Sequence, residues 1–248
     1  MIKYKGGFAC FWAVLVLILF WQLAASGLKE PYLPAPYLAF QAFALAITKE
    51  LARHFLISSY RVVLSLIISL LLAVPLGLVL GRKALWDKFL SPLIFVVYPI
   101  PKIVFLPIFM SFFGLGNLSK ILLITLVVFF QILVTTRDAA RSVDNRLIDS
   151  VTSLGAGKLD IYLHVIFPAC LPDILTSLRI GLGTAIAVLF ISESIASSEG
   201  IGYYLMDAWS RVAYDEMFSG VIAMGILGLI LYFILERLEK LFCPWRFI

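Results

Sequence analysis

Residues able to do chemistry are few and widely spaced in this 248-residue chain. The two histidines, His54 and His164, and the three cysteines, Cys10, Cys170 and Cys243, form neither a metal-ligand spacing nor an obvious redox pair. No serine with a plausible base and no cluster of carboxylates stands out, which sets aside an enzyme. The tetrapeptide GAGK, Gly155 to Lys158, resembles the end of a phosphate-binding loop. However, Thr152 stands where the first glycine of that loop belongs, and Leu159 where a serine or threonine would hold magnesium. The chain itself is therefore expected to carry no cofactor and no metal.

What remains is a handful of charges set singly in apolar sequence. Lys102 ends the stretch YPIPK, in a segment that also holds Pro92 and Pro107. Each interior proline frees a carbonyl and bends the helix, which hydrocarbon tolerates only where protein or a water-filled cavity satisfies the backbone. Two readings stay open. Tyr98, Pro99, Pro101 and Lys102 line a path in which the ammonium favours an anion, or Lys102 snorkels or pairs within the bundle. Arg179 and Glu193 are fourteen residues apart, about 21 Å along a helix and too far to pair. Arg179 reads as a snorkelling residue near the inner end. Glu193 reads as either a path residue or a structural hydrogen-bond partner of the turn SSEGIGYY.

The most organised polar segment is the elbow SVTSLGAGKLDIYLHVIFPACLPDI, Ser150 to Ile174. Leu147, Ile148, Val151 and Leu154 share one helix face. Gly155, Ala156 and Gly157 allow a turn, and Leu159, Tyr162, Leu163 and Ile166 again recur at helical spacing. Pro168 and Pro172 are expected to break the helix and reset its direction. The pattern predicts two short amphipathic helices at a fixed corner. Their apolar stripe either lies on lipid headgroups and the chain's own helix ends, or docks in a groove of a soluble partner.

The elements that must position these residues follow from composition. Hydrophobic residues make up 62% and charged residues 14%, against roughly 25% charged in soluble domains. Six apolar runs, at 8–25, 62–80, 89–112, 118–136, 174–196 and 217–235, each approach the about 20 residues of a membrane crossing. The first exceeds the usual length of a signal-peptide core and reads as an uncleaved span. With the N-terminus inside, the inner segments hold twelve Lys and Arg and the outer segments six, which places both termini and the loop at about 137–172 in the cytoplasm. The net charge of +5 thus reports topology and not nucleic acid. Between the first two spans, Phe40, Phe43, Leu45, Ile47, Leu51 and Phe55 suggest one interfacial helix on the outer face. His54 then sits at the interface. Beyond the fifth span, Tyr204, Leu205, Ala208, Trp209 and Val212 suggest one apolar face of an outer gate or anchoring helix, with Tyr204 and Trp209 as its gate residues. The glycine pairs Gly181 and Gly183, and Gly225 and Gly228, suggest close helix packing.

The elbow resembles the EAA loop of ABC importer permeases. Asp149, Ser150 and Val151 fall at the E-A-A positions, Gly155 at the family glycine, and Ile166, Phe167 and Pro168 at the closing end. The stretches LPAP, PIPKIVFLPIFMSFFGLGNLSK, ARSVDNRLIDSVTSLGA and ESIASSEGIGYYL are similar to the branch that carries sulfonates, taurine, nitrate or thiamine precursors, and the likeness covers about residues 10–240. The resemblance implies an all-α integral membrane protein, a six-transmembrane-helix type I importer permease with cytoplasmic coupling helices in a bacterial inner membrane. It further implies a second permease copy as a homodimer partner, two ATP-binding subunits that hold ATP and magnesium, and an extracytoplasmic substrate-binding protein. An ion-coupled secondary transporter or a channel is the alternative; such transporters often show repeat symmetry and internal acidic sites, whereas this chain's chief device faces the cytoplasm.

Overall fold

A computed structural model describes residues 6–28 and 30–246, with side chains from residue 12 onward. The elements, in order, are α1 (Gly6–Leu28), α2 (Pro36–Ile47), α3 (Leu51–Arg82), α4 (Ala84–Val97), a 3-10 turn (Lys102–Phe105), α5 (Leu106–Phe113), α6 (Asn117–Ser142), α7 (Asn145–Ser153), α8 (Lys158–Ile161), a π turn (Tyr162–Ile166), α9 (Phe167–Ser194), α10 (Ile201–Ser210), α11 (Tyr214–Phe242) and a terminal 3-10 turn (Pro244–Arg246). Among the described residues, four helical runs are long and apolar enough to cross a membrane: α3, α6, Lys158–Ser194 and α11. The segments Ala84–Val97 and Lys102–Phe113 together make a fifth, bent by 82°. The first expected span is a 23-residue helix, of which the described apolar portion, Trp12–Leu28, is shorter than a crossing. The basic start, Lys3 and Lys5, lies outside the described residues.

Helices α3, α6 and α9 form the centre, and α11 packs against α9, α10 and α2. The α3–α6 contact is built on small residues one turn apart: Ser65, Ser69, Ala73, Gly77 and Gly81. The Ser65 and Ser69 hydroxyls lie 3.1 Å from the Ile121 and Thr125 carbonyls across the pair. A Cβ on Gly77 would stand 2.7 Å from Thr136 Cβ, and one on Gly81 would stand 2.6 Å from Ala140 Cβ. The glycines expected to pack closely in α9 and α11 divide. Gly181 and Gly228 face Gln131 and Ile186, whereas Gly183 and Gly225 face nothing within 4 Å.

The structure corrects three expected boundaries. The single interfacial helix is cut at Thr48–Glu50, and Leu51, His54 and Phe55 open the 32-residue α3. The charges Lys49, Glu50 and Arg53 cluster at this break and in the first turn of α3. The third span is broken: Tyr98–Pro101 interrupts it, where Pro99 and Pro101, two residues apart, withhold backbone donors. Finally, Pro168 and Pro172 do not reset the chain, since helix runs continuously from Lys158 to Ser194. The π turn absorbs Pro168: the Phe167 amide donates back to the Tyr162 carbonyl, a five-residue step that shifts the hydrogen-bond ladder before the proline arrives. Thr176 and Arg246 donate to the Pro172 carbonyl.

Candidate functional site

The elbow forms as two helices at a glycine corner. Asp144 caps α7 by accepting from the Arg146 amide at 2.9 Å, as an N-cap carboxylate does. Gly155 takes φ +89°, a left-handed conformation that glycine adopts at no steric cost. The Gly157 amide then donates to the Asp160 carboxylate at 3.1 Å, starting α8. Arg82, at the end of α3, ties the elbow down through the Val143 carbonyl and the Asn145 side chain.

The stripe foreseen as one face divides into two. Ile148, Ile161, Tyr162 and the fully buried Ile166 pack inward on a satellite core of Leu78, Ala139, Ala140, Cys170 and Ile174. Leu147, Leu154, Leu159 and Leu163 point outward, with Leu154 87% and Leu159 71% exposed. Asp149, Ser150 and Gly155 are exposed, Val151, Ala156 and Pro168 half-buried. One face thus fixes the elbow to the bundle while the other is left bare.

At the broken span, Tyr98, Pro99 and Pro101 are exposed and Lys102 is half-buried. In an unbroken helix the Tyr98 carbonyl would accept from the amide of residue 102; here the Lys102 ammonium donates to that carbonyl instead. It lies 5.0 Å from the Tyr98 ring centroid and 5.1 Å from that of Phe130, cation–π distances. Lys102 therefore caps α4. Beneath the break a cavity of about 280 Å³ is lined by Ser91, Ile94, Phe95, Tyr98, Pro99, Val134 and Arg137, and Arg137 sits 3.1 Å from Asp87.

Glu193 is fully buried and lines no open surface, which favours its structural reading over its placement in a path. Its carboxylate accepts from Arg61 at 2.7 Å, from the Gly202 amide at 2.9 Å and from the Ser58 hydroxyl at 2.8 Å. Arg61 also donates to Asn117 and to the Glu199 carbonyl. Buried Lys120 donates to the Leu115 carbonyl at 2.6 Å. His54, expected at the interface, is buried and accepts from the Gly200 amide at 3.0 Å. Sequence reasoning gave Arg61 and Lys120 no site role and missed this node. The available signal was His54, Ser58, Arg61, Ser65 and Ser69 recurring every three or four residues along α3, a polar stripe that cannot face lipid.

In α10, Tyr204 and Ala208 are buried while Trp209 is 55% exposed. The five-residue step from Tyr204 to Trp209 turns them to different sides, so the expected single face also divides. The Tyr204 and Ser219 hydroxyls are 3.1 Å apart; burial raises the Tyr204 phenol above its ordinary pKa, with the Ser219 hydrogen bond opposing, so it stays protonated. Midway along α9, Arg179 does not snorkel. It pairs with buried Glu239, which also binds Arg246 at 2.7 Å.

The family described as "Binding-protein-dependent transport system inner membrane component" matches residues 73–247. The chain belongs to this family. The taurine transport system permease protein TauC of Escherichia coli (strain K12) is 31% identical over 93% of this chain and 86% of its own length. The putative aliphatic sulfonates transport permease protein SsuC of Bacillus subtilis (strain 168) is 31% identical over 93% and 85%. The formylaminopyrimidine transport permease protein ThiX of Halalkalibacterium halodurans is 27% identical over 94% and 93%. An inward-facing structure of the MetNI methionine ABC transporter shares the fold, with a TM-score of 0.66, 19% identity, and coverage of 77% of this chain and 95% of that one. The chain is thus a multi-pass membrane permease subunit of an ABC importer, with a fold matching other importers of that class.

Proposed function

We propose that two copies of this permease form the path, that two ATP-binding subunits dock beneath them, and that an extracytoplasmic binding protein delivers a small organic anion of the sulfonate or taurine kind, or a thiamine-precursor-like heterocycle. Both termini lie in the cytoplasm and lipid surrounds the pair. ATP and magnesium belong to the ATPase partners, whose closure pushes on the elbows and rocks the spans between two states. The outward leucines of the elbow carry this reading: a corner held firmly on one face and bare on the other is built to transmit displacement from an apolar groove. The ligand class is supported by the similar permeases named above and by Lys102 and Arg137 around the break. Helix α10, with Tyr204 rooted in the core and Trp209 exposed, serves as the outer gate element.

The test is reconstitution of the permease with its ATPase and binding protein in liposomes, measuring ATP-dependent uptake of radiolabelled taurine, an alkanesulfonate and a formylaminopyrimidine. ATP-dependent uptake of one of them is expected. A Gly155→Val variant, strained at φ +89°, should hydrolyse ATP with little uptake. Uptake by the permease alone along an ion gradient would overturn the proposal in favour of a secondary transporter.

A further inference from the structure

The start of α10 is capped in an unusual way. Its first three amides are each satisfied by a side chain from another helix: Gly200 donates to His54 Nδ1, Ile201 to Ser58 Oγ at 2.8 Å, and Gly202 to Glu193 Oε2. A helix N-terminus attracts an anion, and here the chain supplies its own. The fit is close. Gly200 has φ +114° and a side chain there would fall on the Glu193 carboxylate, while a Cβ on Gly202 would stand 2.7 Å from Glu193 Cβ. Arg61 completes the node by binding Glu193, Asn117 at the start of α6, and the Glu199 carbonyl. Above it, on the surface, Arg53 pairs with Glu199.

The broken span is the opposite case. In α4, the 3-10 turn and α5, only Ile94 and Leu106 are buried, and its backbone is already interrupted at Tyr98–Pro101.

We infer that Glu193, Arg61, Ser58 and His54 weld α10 to α3 and α9 as positioning residues, so that α10 moves with α3 and α9 as one body during transport while the α4–α5 span flexes at its break. The inference rests on the importer reading above. Freeing α10 would strand a buried carboxylate, a buried guanidinium and three backbone donors together. The α4–α5 span has little buried contact to lose and a bend at which to turn.

Hydrogen exchange decides it. In the assembled complex, exchange is compared without nucleotide and with ATP held by a hydrolysis-deficient ATPase. The amides of Gly200–Gly202 should change less than twofold between states, and those of Ile103–Leu106 at least tenfold. A change at Gly200–Gly202 equal to or larger than that at the break overturns the inference. Glu193→Gln keeps the shape of the side chain and an acceptor for Gly202 but loses the charge. It should raise exchange at Gly200–Gly202 at least tenfold and leave residues 221–235 unaltered; unchanged protection of Gly200–Gly202 would remove the carboxylate from the weld. Because exchange is read without substrate, failure of wild-type uptake sinks the functional reading and leaves this measurement to decide the weld.

Discussion

Replacing Leu154 and Leu159 with serine separates the two faces of the elbow. Both side chains are largely exposed, Leu154 at 87% and Leu159 at 71%, so nearly their whole apolar area remains to be covered by a partner. Full burial of a leucine contributes about 2 kcal/mol, and about 1.4 kcal/mol is a factor of ten in affinity. Each serine should therefore weaken ATPase binding about 25-fold, and the pair several hundredfold. The isolated permease should hardly change, because exposed positions away from packed features shift stability by about 0.5 kcal/mol or less. Ile166→Ser is the converse: that side chain is 2% exposed within the satellite core, so its loss should destabilise the permease by about 2–5 kcal/mol. The assay is titration of purified ATPase subunit against nanodisc-embedded permease, with thermal melts of each variant alongside. Wild-type affinity in Leu154→Ser/Leu159→Ser, with its melt also unchanged, refutes the assignment of the outward face to the ATPase.

Three further outcomes are expected. Gly77→Leu forces atoms into the 2.7 Å gap beside Thr136 and should lower stability by about 1–3 kcal/mol, visible as an earlier unfolding transition in detergent. Glu239→Ala leaves the partly exposed Arg179 and Arg246 without their shared carboxylate and should cost about 1–3 kcal/mol, again read by thermal unfolding. Lys102→Ala removes the cap on α4 and a cation beside the break; uptake of an anionic substrate should fall about tenfold, equivalent to about 1.4 kcal/mol, while ATPase co-purification stays complete.

The parts legible in sequence were those fixed by local pattern. The elbow was readable because Gly155 and the recurring Leu and Ile residues encode a turn between amphipathic helices, and a bend in the third span because its prolines withhold donors, although its division into two segments was not. The two faces of the elbow were not separable, since whether Ile166 or Leu163 is covered depends on α3 and α6, remote in sequence. Arg61, Lys120 and Glu239 were misread or passed over for the same reason. A charge near the end of an apolar run is equally consistent with snorkelling and with a buried pair, and only the tertiary partner decides between them. Glu193 lay between these cases: its link to the following turn was foreseen, but not the Arg61 that shares it, 132 residues earlier.

The distribution of buried ions bears on which parts of the permease can move. Helix α9 is clamped near its C-terminus by Glu193 with Arg61 and at its middle by Arg179 with Glu239, and neither pair can open without stranding a buried carboxylate. Between the clamps, α3 and α6 meet at small residues with no room for sliding side chains. A push on the elbow is therefore passed to this block as a whole, because the elbow's inner face and the continuous helix from Lys158 to Ser194 belong to it. Internal flexing is left to the segment with few buried contacts and a backbone already broken, Ala84 to Phe113. The same segment holds Tyr98, Pro99, Pro101 and Lys102, so on the proposed importer reading the element freest to move is also the one that lines the path.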